Sequence, residues 1–293
     1  MKNRTIAVTY AGVLALTTIV GSWIVGSWVC RAEAEEQAPA LRVYAAGSTR
    51  GILPAIAEDY ARTTGQRFEF TFGPAGLLLN RIRKEGGADI FVSANMEHPQ
   101  QLFLEGAGTR PVIFARNQLC VTGRAELGLT QATLLDKLLE PSVKIGTSTP
   151  GADPGGDYAW QFFDRAETVR AGAKDTLIRN AHQLVGGPAS PKLPAGETAV
   201  HYFFTRHEAD AFIGYCSSHT KISAGPEKPS DLPLTRVEVP PPLAMPINYG
   251  LTILTTIKDA GHREAAYRFA LYLVSPDAQR RLPEYGFVPS GGL

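Results

Sequence analysis

Along the chain, short apolar runs alternate with segments in which apolar residues recur every three to four positions. Leu41-Arg-Val-Tyr-Ala-Ala46 reads as a short strand. Ile52, Leu53, Ile56, Ala57 and Tyr60 then share one face of a helix running from Ile52 to Thr63. Phe68-Glu-Phe-Thr-Phe72 alternates as a strand, Leu77 to Lys84 is helical, Ala88-Asp-Ile-Phe-Val-Ser93 is a buried strand, and Pro99 to Glu105 is helical. Strands separated by helices of this length predict βαβ units and a mostly parallel sheet covered on both faces.

Further on the pattern changes. Val112 to Val121 is one long strand-like run, interrupted at Ala-Arg-Asn117. Strands follow at Val143 to Thr147 and Ala211 to Tyr215, with helices at Gly155 to Thr168 and Thr198 to Arg206. Gly225 to Pro242 is rich in Pro and reads as a connector or an edge. Asn248 to Leu254 returns to strand, and His262 to Val274 and Pro276 to Glu284 are helical. A chain that starts one α/β domain, leaves for a second and returns makes its first domain discontinuous. The expected division is residues 35–116 with 246–293 for one lobe and 117–245 for the other. The expected fold class is α/β, two lobes of mixed sheets flanked by helices, with a cleft and a hinge between them. Ligands of open α/β sheets bind beyond the carboxyl ends of strands, so two facing lobes would hold a ligand between them and close by hinge bending.

Composition narrows the partners. Lys plus Arg is 29 and Asp plus Glu is 28 in 293 residues, a net charge of +1. Such balance argues against a nucleic-acid-binding face and against an acidic disordered chain. The N-terminus reads as an export signal: Lys2 and Arg4, an uncharged apolar run from Ile6 to Val29, then Ala32-Glu33-Ala34 as a cleavage pattern. Cleavage after Ala34 removes three positive charges and one negative, so +1 becomes −1. The run is also long enough to stay as a membrane anchor. Cys30 lacks the small residues of a lipobox before it. The body is expected to be soluble, periplasmic and monomeric. Two cysteines then remain, Cys120 and Cys216, either as buried thiols or as a disulfide; an oxidising compartment favours the disulfide.

Three strand-to-helix turns carry small residues and hydroxyls. They are Ala45-Ala-Gly-Ser48-Thr49, Phe72-Gly-Pro-Ala75-Gly76 and Asp153-Pro-Gly155-Gly-Asp157. Ser48 is a good N-cap for the helix that follows. Each turn offers free backbone N–H groups at a helix start, where orphan donors and the helix dipole attract anions. Taken singly, each turn is more ordinarily a cap and a chain reversal. Arg50 could add a cation but more often faces solvent. Cys216-Ser-Ser-His219 has short metal-ligand spacing but no second Cys/His pair, so no metal site or cofactor is expected. His98, His182, His201, His207 and His262 show no ligand spacing and are expected at the surface. No Gly-x-Ser-x-Gly elbow is present and no His is placed near Ser48 or Ser217, which argues against a hydrolase.

The order of these segments resembles the molybdate-binding proteins of bacterial ABC importers, within the type II periplasmic binding proteins. Val43-Tyr-Ala-Ala-Gly-Ser48, Gly87-Ala-Asp-Ile-Phe-Val-Ser-Ala94, Pro154-Gly-Gly-Asp-Tyr-Ala159, Ala211-Phe-Ile-Gly-Tyr215 and the ending with Glu284-Tyr-Gly-Phe287 carry the likeness. The resemblance implies a non-enzymatic carrier that grips molybdate or tungstate with uncharged donors and delivers it to an inner-membrane permease. It implies Ser48, with Thr49 beside it, as hydroxyl ligands, Gly155 and Glu197 as backbone donors, and Tyr215 as a phenolic donor. Ala75 stands where the family has a second Ser, so only its N–H could serve. Asp153, Asp157 and Glu197 bring carboxylates close to an anion cage. Either they point away, or the ligand is another oxyanion, a protonated one, or a cationic or metal-containing species. A tethered ligand sensor, with the N-terminal helix retained, is the other role this reading allows.

Overall fold

The computed structural model describes residues 39–194, 196–219 and 232–291. The export segment, Cys30 and residues 225–231 of the Pro-rich stretch lie outside the described residues. In chain order the elements are β1 (Leu41–Ala46), α1 (Ile52–Thr64), β2 (Phe68–Gly73), α2 (Ala75–Glu85), β3 (Ile90–Ser93), α3 (Glu97–Leu104), β4 (Val112–Asn117), β5 (Leu119–Arg124), α4 (Leu134–Leu138) and β6 (Ile145–Ser148). There follow α5 (Pro154–Val169), α6 (Ala173–Asn180), β7 (Ala181–Val185), α7 (Ala199–Thr205), β8 (Ala211–Tyr215), β9 (Leu234–Glu238), β10 (Ile247–Ile253), α8 (Ala260–Leu273), α9 (Pro276–Gln279) and β11 (Val288–Pro289).

Two mixed sheets result. One has the order β11-β4-β10-β3-β1-β2 and the other β7-β6-β8-β5-β9. In the first, β1 runs parallel to β2 and β3, while β10 is antiparallel to β3 and β4. In the second, β6 runs parallel to β7 and β8, while β5 is antiparallel to β8 and β9. The run expected as one strand from Val112 to Val121 is two: Asn117 ends β4 in one sheet and Leu119 begins β5 in the other. Gln118, the one residue between them, is where the chain crosses from one sheet to the other.

The local chemistry explains the elements. β3 is buried along its whole length because it sits between β10 and β1. α1 buries Ile52, Leu53, Ile56, Ala57 and Tyr60, the face anticipated from their spacing, and ends at Gly65, whose φ of 70° is cheap only for glycine. On the edge strand β2, Phe68, Phe70 and Phe72 stack in a ladder, and Phe68 and Tyr60 meet Phe269 of α8. α6 and β7 carry no assignment in the sequence pattern. Ala181-His-Gln-Leu-Val is an edge strand with one neighbour, so neither face imposes a clear period. β9, in the Pro-rich stretch, is likewise an edge.

Two histidines expected at the surface are not there. His98 is buried, its backbone N–H bonded to Asn95 Oδ1 and its Nδ1 3.2 Å from Ser93 Oγ. Burial lowers its pKa and keeps it neutral. His262 places Nε2 3.0 Å from Asp89, which is 1% exposed. Asp89 also accepts from the Arg42 backbone N–H at 2.8 Å and from its guanidinium. Burial pushes the Asp89 carboxyl up, but the Arg42 and His262 bonds outweigh it and hold it below its ordinary value. These contacts tie the start of β3 to β1 and α8. Asp89→Asn is expected to lower stability by about 2 kcal/mol, the scale of losing bonds to charged groups with Arg42 half exposed. Because the folded-state pKa is depressed, this contribution is full above about pH 4 and fades as pH falls through the folded value. Denaturant midpoints measured from pH 7 to pH 3 should therefore fall less steeply in the variant.

Cys120 on β5 and Cys216 just beyond β8 are joined by a disulfide, with Cα atoms 4.9 Å apart. The thiol alternative is thereby set aside, and Cys216 has no sulfur left for the zinc spacing with His219. Among the described residues no group of three or more His, Cys, Asp or Glu could hold a metal ion. No helix of the described residues is long and apolar enough to cross a membrane.

Candidate functional site in the inter-lobe cleft

The candidate residues gather at the carboxyl ends of the parallel strands. Ser48 follows β1, Ala75 follows β2 and Asn95 follows β3 in one lobe. Asp153 and Gly155 follow β6, Gly186 follows β7, and Tyr215 ends β8 in the other. Their convergence is what the strand-end rule demands of two facing sheets.

Tyr249, on β10, stands at the centre. Its side chain is fully buried, and its hydroxyl lies 2.9 Å from Ser48 Oγ and accepts from Asn117 Nδ2 at 3.3 Å. The same Asn117 amide donates to Ser217 Oγ at 2.7 Å, linking the crossing strand to the second lobe. Ser48 does not cap α1, as its type suggested: it lies in a 3-10 turn and spends its hydroxyl on Tyr249, while α1 starts at Gly51 without a side-chain cap. Thr49 is buried and donates to the Ala46 carbonyl at 2.7 Å, closing its own turn.

Tyr215 packs edge-on against Tyr249 with ring centroids 5.7 Å apart, and against Tyr158 of α5 at 6.3 Å. Its hydroxyl is buried and has no hydrogen-bond partner. Burial pushes its pKa well up, so it remains a neutral O–H. A buried phenol without a partner is costly and is the kind of atom a ligand would satisfy.

The backbone donors are less free. Gly155 N–H donates to Asp153 Oδ1 at 3.2 Å, so the capping carboxylate of α5 takes it. Burial raises the Asp153 pKa, against the bonds from Gly155 and Ser148. A protonated Asp153 would gain an O–H donor and keep acceptor capacity for the Gly155 N–H. Glu197 N–H donates to the Pro194 carbonyl at 3.1 Å, and the contacts that place Glu197 are local, including His201 at 4.0 Å; its Oε2 is buried without a hydrogen bond. Arg50 lies over the Phe72 ring, 4.9 Å from its centroid.

The lobes touch. Gly76 N–H, at the start of α2, donates to the Ala152 carbonyl at 3.0 Å across the cleft. A Cβ on Gly76 would run into the Gly151 and Ala152 carbonyl oxygens, so this approach requires glycine. Beside the contact lies a cavity of about 170 Å³. Asn95, Met96, Glu97 and Asn248 line it from one lobe, Pro154, Asp157, Tyr158 and Gln161 from the other, and Pro246 from the returning crossing.

Residues 41–288 match the family described as bacterial extracellular solute-binding protein. The chain belongs to this family. Members bind solutes outside the cytoplasm and are not catalysts. The solute-binding protein is 32% identical over 251 residues to "Uncharacterized protein PM1146" of Pasteurella multocida, covering 85% of this chain and 99% of that one. It is 24% identical over 257 residues to the putative ABC transporter substrate-binding lipoprotein YvgL of Bacillus subtilis, 86% of this chain and 87% of the relative. Among solved structures, the periplasmic molybdate-binding protein of Azotobacter vinelandii superposes with a TM-score of 0.66 at 20% identity, covering 86% of this chain and 100% of the other. At that identity the likeness establishes the fold, a type II periplasmic binding protein, for this solute-binding protein.

Tyr249 and Asn117 were absent from the sequence-derived site. Both sit in runs that read as strand, Asn117 between Arg116 and Gln118 and Tyr249 between Asn248 and Gly250, and no turn or motif marks either. Of the cavity residues, Tyr158 lies in the Pro154 to Ala159 stretch that carries the resemblance, while Glu97 and Gln161 gave no signal.

Proposed function

We propose that this solute-binding protein captures a small molecule bearing a tetrahedral oxyanion group between its lobes and delivers it to a membrane permease of the ABC type. The partnerless buried hydroxyl of Tyr215 carries this reading. It is a neutral donor at a strand end, close to Ser48 through Tyr249, and uncharged donors can hold a desolvated anion without a buried counter-ion. Molybdate and tungstate are the reference ligands that the sequence resemblance supplies; the Azotobacter protein is named as molybdate-binding, and YvgL as a putative ABC transporter substrate-binding lipoprotein. Export through the N-terminal segment would place the protein on the outer side of the membrane.

Titration of the protein with molybdate, tungstate, sulfate and phosphate, read by calorimetry and thermal shift, tests the reading. A true ligand raises the melting temperature with the logarithm of its concentration. Tyr215→Phe and Ser48→Ala are each expected to weaken it about tenfold, the worth of one hydrogen bond near 1.4 kcal/mol. If no oxyanion shifts the melting temperature at millimolar concentration, or if Tyr215→Phe binds as tightly as the parent, the assignment is wrong.

A further inference from the structure

The cavity beside the cleft contact has the wrong sign for a bare anion. Glu97, the first residue of α3, and Asp157, in the first turn of α5, bring carboxylates to it from opposite lobes. None of its lining residues is basic. A dianion drawn into this cleft would meet both acids, where a partly dehydrated site strengthens repulsion.

The cavity also holds unused hydrogen-bonding capacity. Tyr158 is only 8% exposed, and the charges of Glu97 and Asp157 both act on its hydroxyl and raise its pKa, behind the larger effect of burial. Asp157 Oδ1 accepts from Gly151 N–H at 2.7 Å, which leaves its second oxygen free. The volume, about 170 Å³, is that of a cavity able to take roughly six heavy atoms. The ring of Tyr158 packs against Tyr215 at 6.3 Å, so the cavity adjoins the donor hydroxyl of the proposed anion site.

We propose that this cavity is the second half of the ligand site and receives an ammonium group, so that the solute is a small organic phosphate, phosphonate or sulfonate with an amine a few bonds from its oxyanion. The proposal rests on the oxyanion reading above. An ammonium has three donors and no acceptor. The Glu97 carboxylate, the free oxygen of Asp157 and the Tyr158 hydroxyl supply three acceptors, one from one lobe and two from the other. The amine would neutralise the acidic wall that opposes the anion, and would bridge the lobes as they close. A divalent metal fits less well, because such ions take six or more oxygens with several carboxylates among them, and two acids from different lobes do not make that set.

The test compares matched pairs on the full chain by calorimetry: phosphoethanolamine with ethyl phosphate, and taurine with ethanesulfonate. In at least one pair the amine-bearing member should bind tenfold or more tightly. Glu97→Gln should remove most of that advantage, while the amine-free member, relieved of one repelling charge, binds at least as tightly as to the parent. Asp157→Asn should do the same, with Glu97→Gln deciding because Asp157 also holds the Gly151 loop. Equal binding within both pairs, or an unchanged ratio in Glu97→Gln, overturns the proposal. Tight binding of molybdate or sulfate with no preference for amines sinks this inference alone and leaves the oxyanion reading standing. Failure of every oxyanion, organic or inorganic, overturns both.

Discussion

Gly76→Ala should abolish tight ligand binding while leaving the melting temperature of the free protein almost unchanged. Gly76 is the second residue of α2, and its N–H meets the Ala152 carbonyl of the other lobe at 3.0 Å. An added methyl collides with the carbonyl oxygens of Gly151 and Ala152, the latter only 2.8 Å away. These are backbone atoms, which cannot rotate aside as a flexible side chain would. The lobes must then stay apart by roughly the excess overlap, about 1 Å against ordinary contact distances. Within its own lobe the change is benign, because Ala is a better helix former than Gly by about 1 kcal/mol. The cost therefore falls on the closed state alone. Loss of a hundredfold or more in affinity, about 2.7 kcal/mol, is expected by calorimetry, with a melting temperature within about 2 °C of the parent. Parent-like affinity in Gly76→Ala would show that the approach of α2 to the Gly151 loop plays no part in holding the ligand.

The second large effect concerns stability. The Cys120–Cys216 bond closes a loop spanning 96 residues, and in the chain-entropy account such a crosslink contributes about 4–5 kcal/mol by restricting the unfolded chain. It fastens β5 to the end of β8, two strands already paired from Leu119 with Tyr215 to Gly123 with Ala211. The double substitution Cys120→Ser, Cys216→Ser, or reduction by a thiol, should lower the melting temperature by on the order of 10 °C for a domain of this size. Ligand affinity should change little, because Tyr215 remains fixed by the ladder and by Tyr249 and Tyr158. A shift under about 3 °C would mean that the bond contributes far less than loop closure predicts.

Much of the architecture was legible from alternation alone. The βαβ start, the helical face of Ile52 to Tyr60 and the return at Asn248 all follow from periods that burial imposes on a strand or a helix. Both cysteines lie on or beside strands that pair, so their joining was open to expectation once export was inferred. The edge strand β7 escaped because one-sided pairing leaves the pattern without a constraint, while the stretch holding β9 read as a connector or an edge. The crossing between β4 and β5 looked like one strand because a chain can change sheets without a break in its extended backbone.

The site divides along the same line. Turn chemistry at Ser48, at Gly76 and at Asp153 to Asp157 was readable because helix starts after strands have recognisable residues. The partners of those groups were not. That Ser48 pairs with Tyr249, 201 residues away, that the Gly155 amide is taken by Asp153, and that Tyr215 is left without a partner all depend on which side chains the two lobes bring together. The amino-acid sequence determined the alternation of strands and helices and the strand ends, because local period acts between near neighbours; it left Cys120 and Cys216 open as thiols or a disulfide. The tertiary structure alone decided the sign of the cavity, since Glu97 and Asp157 meet only when the lobes do, and an electric field is a sum over distances in space, not along the chain.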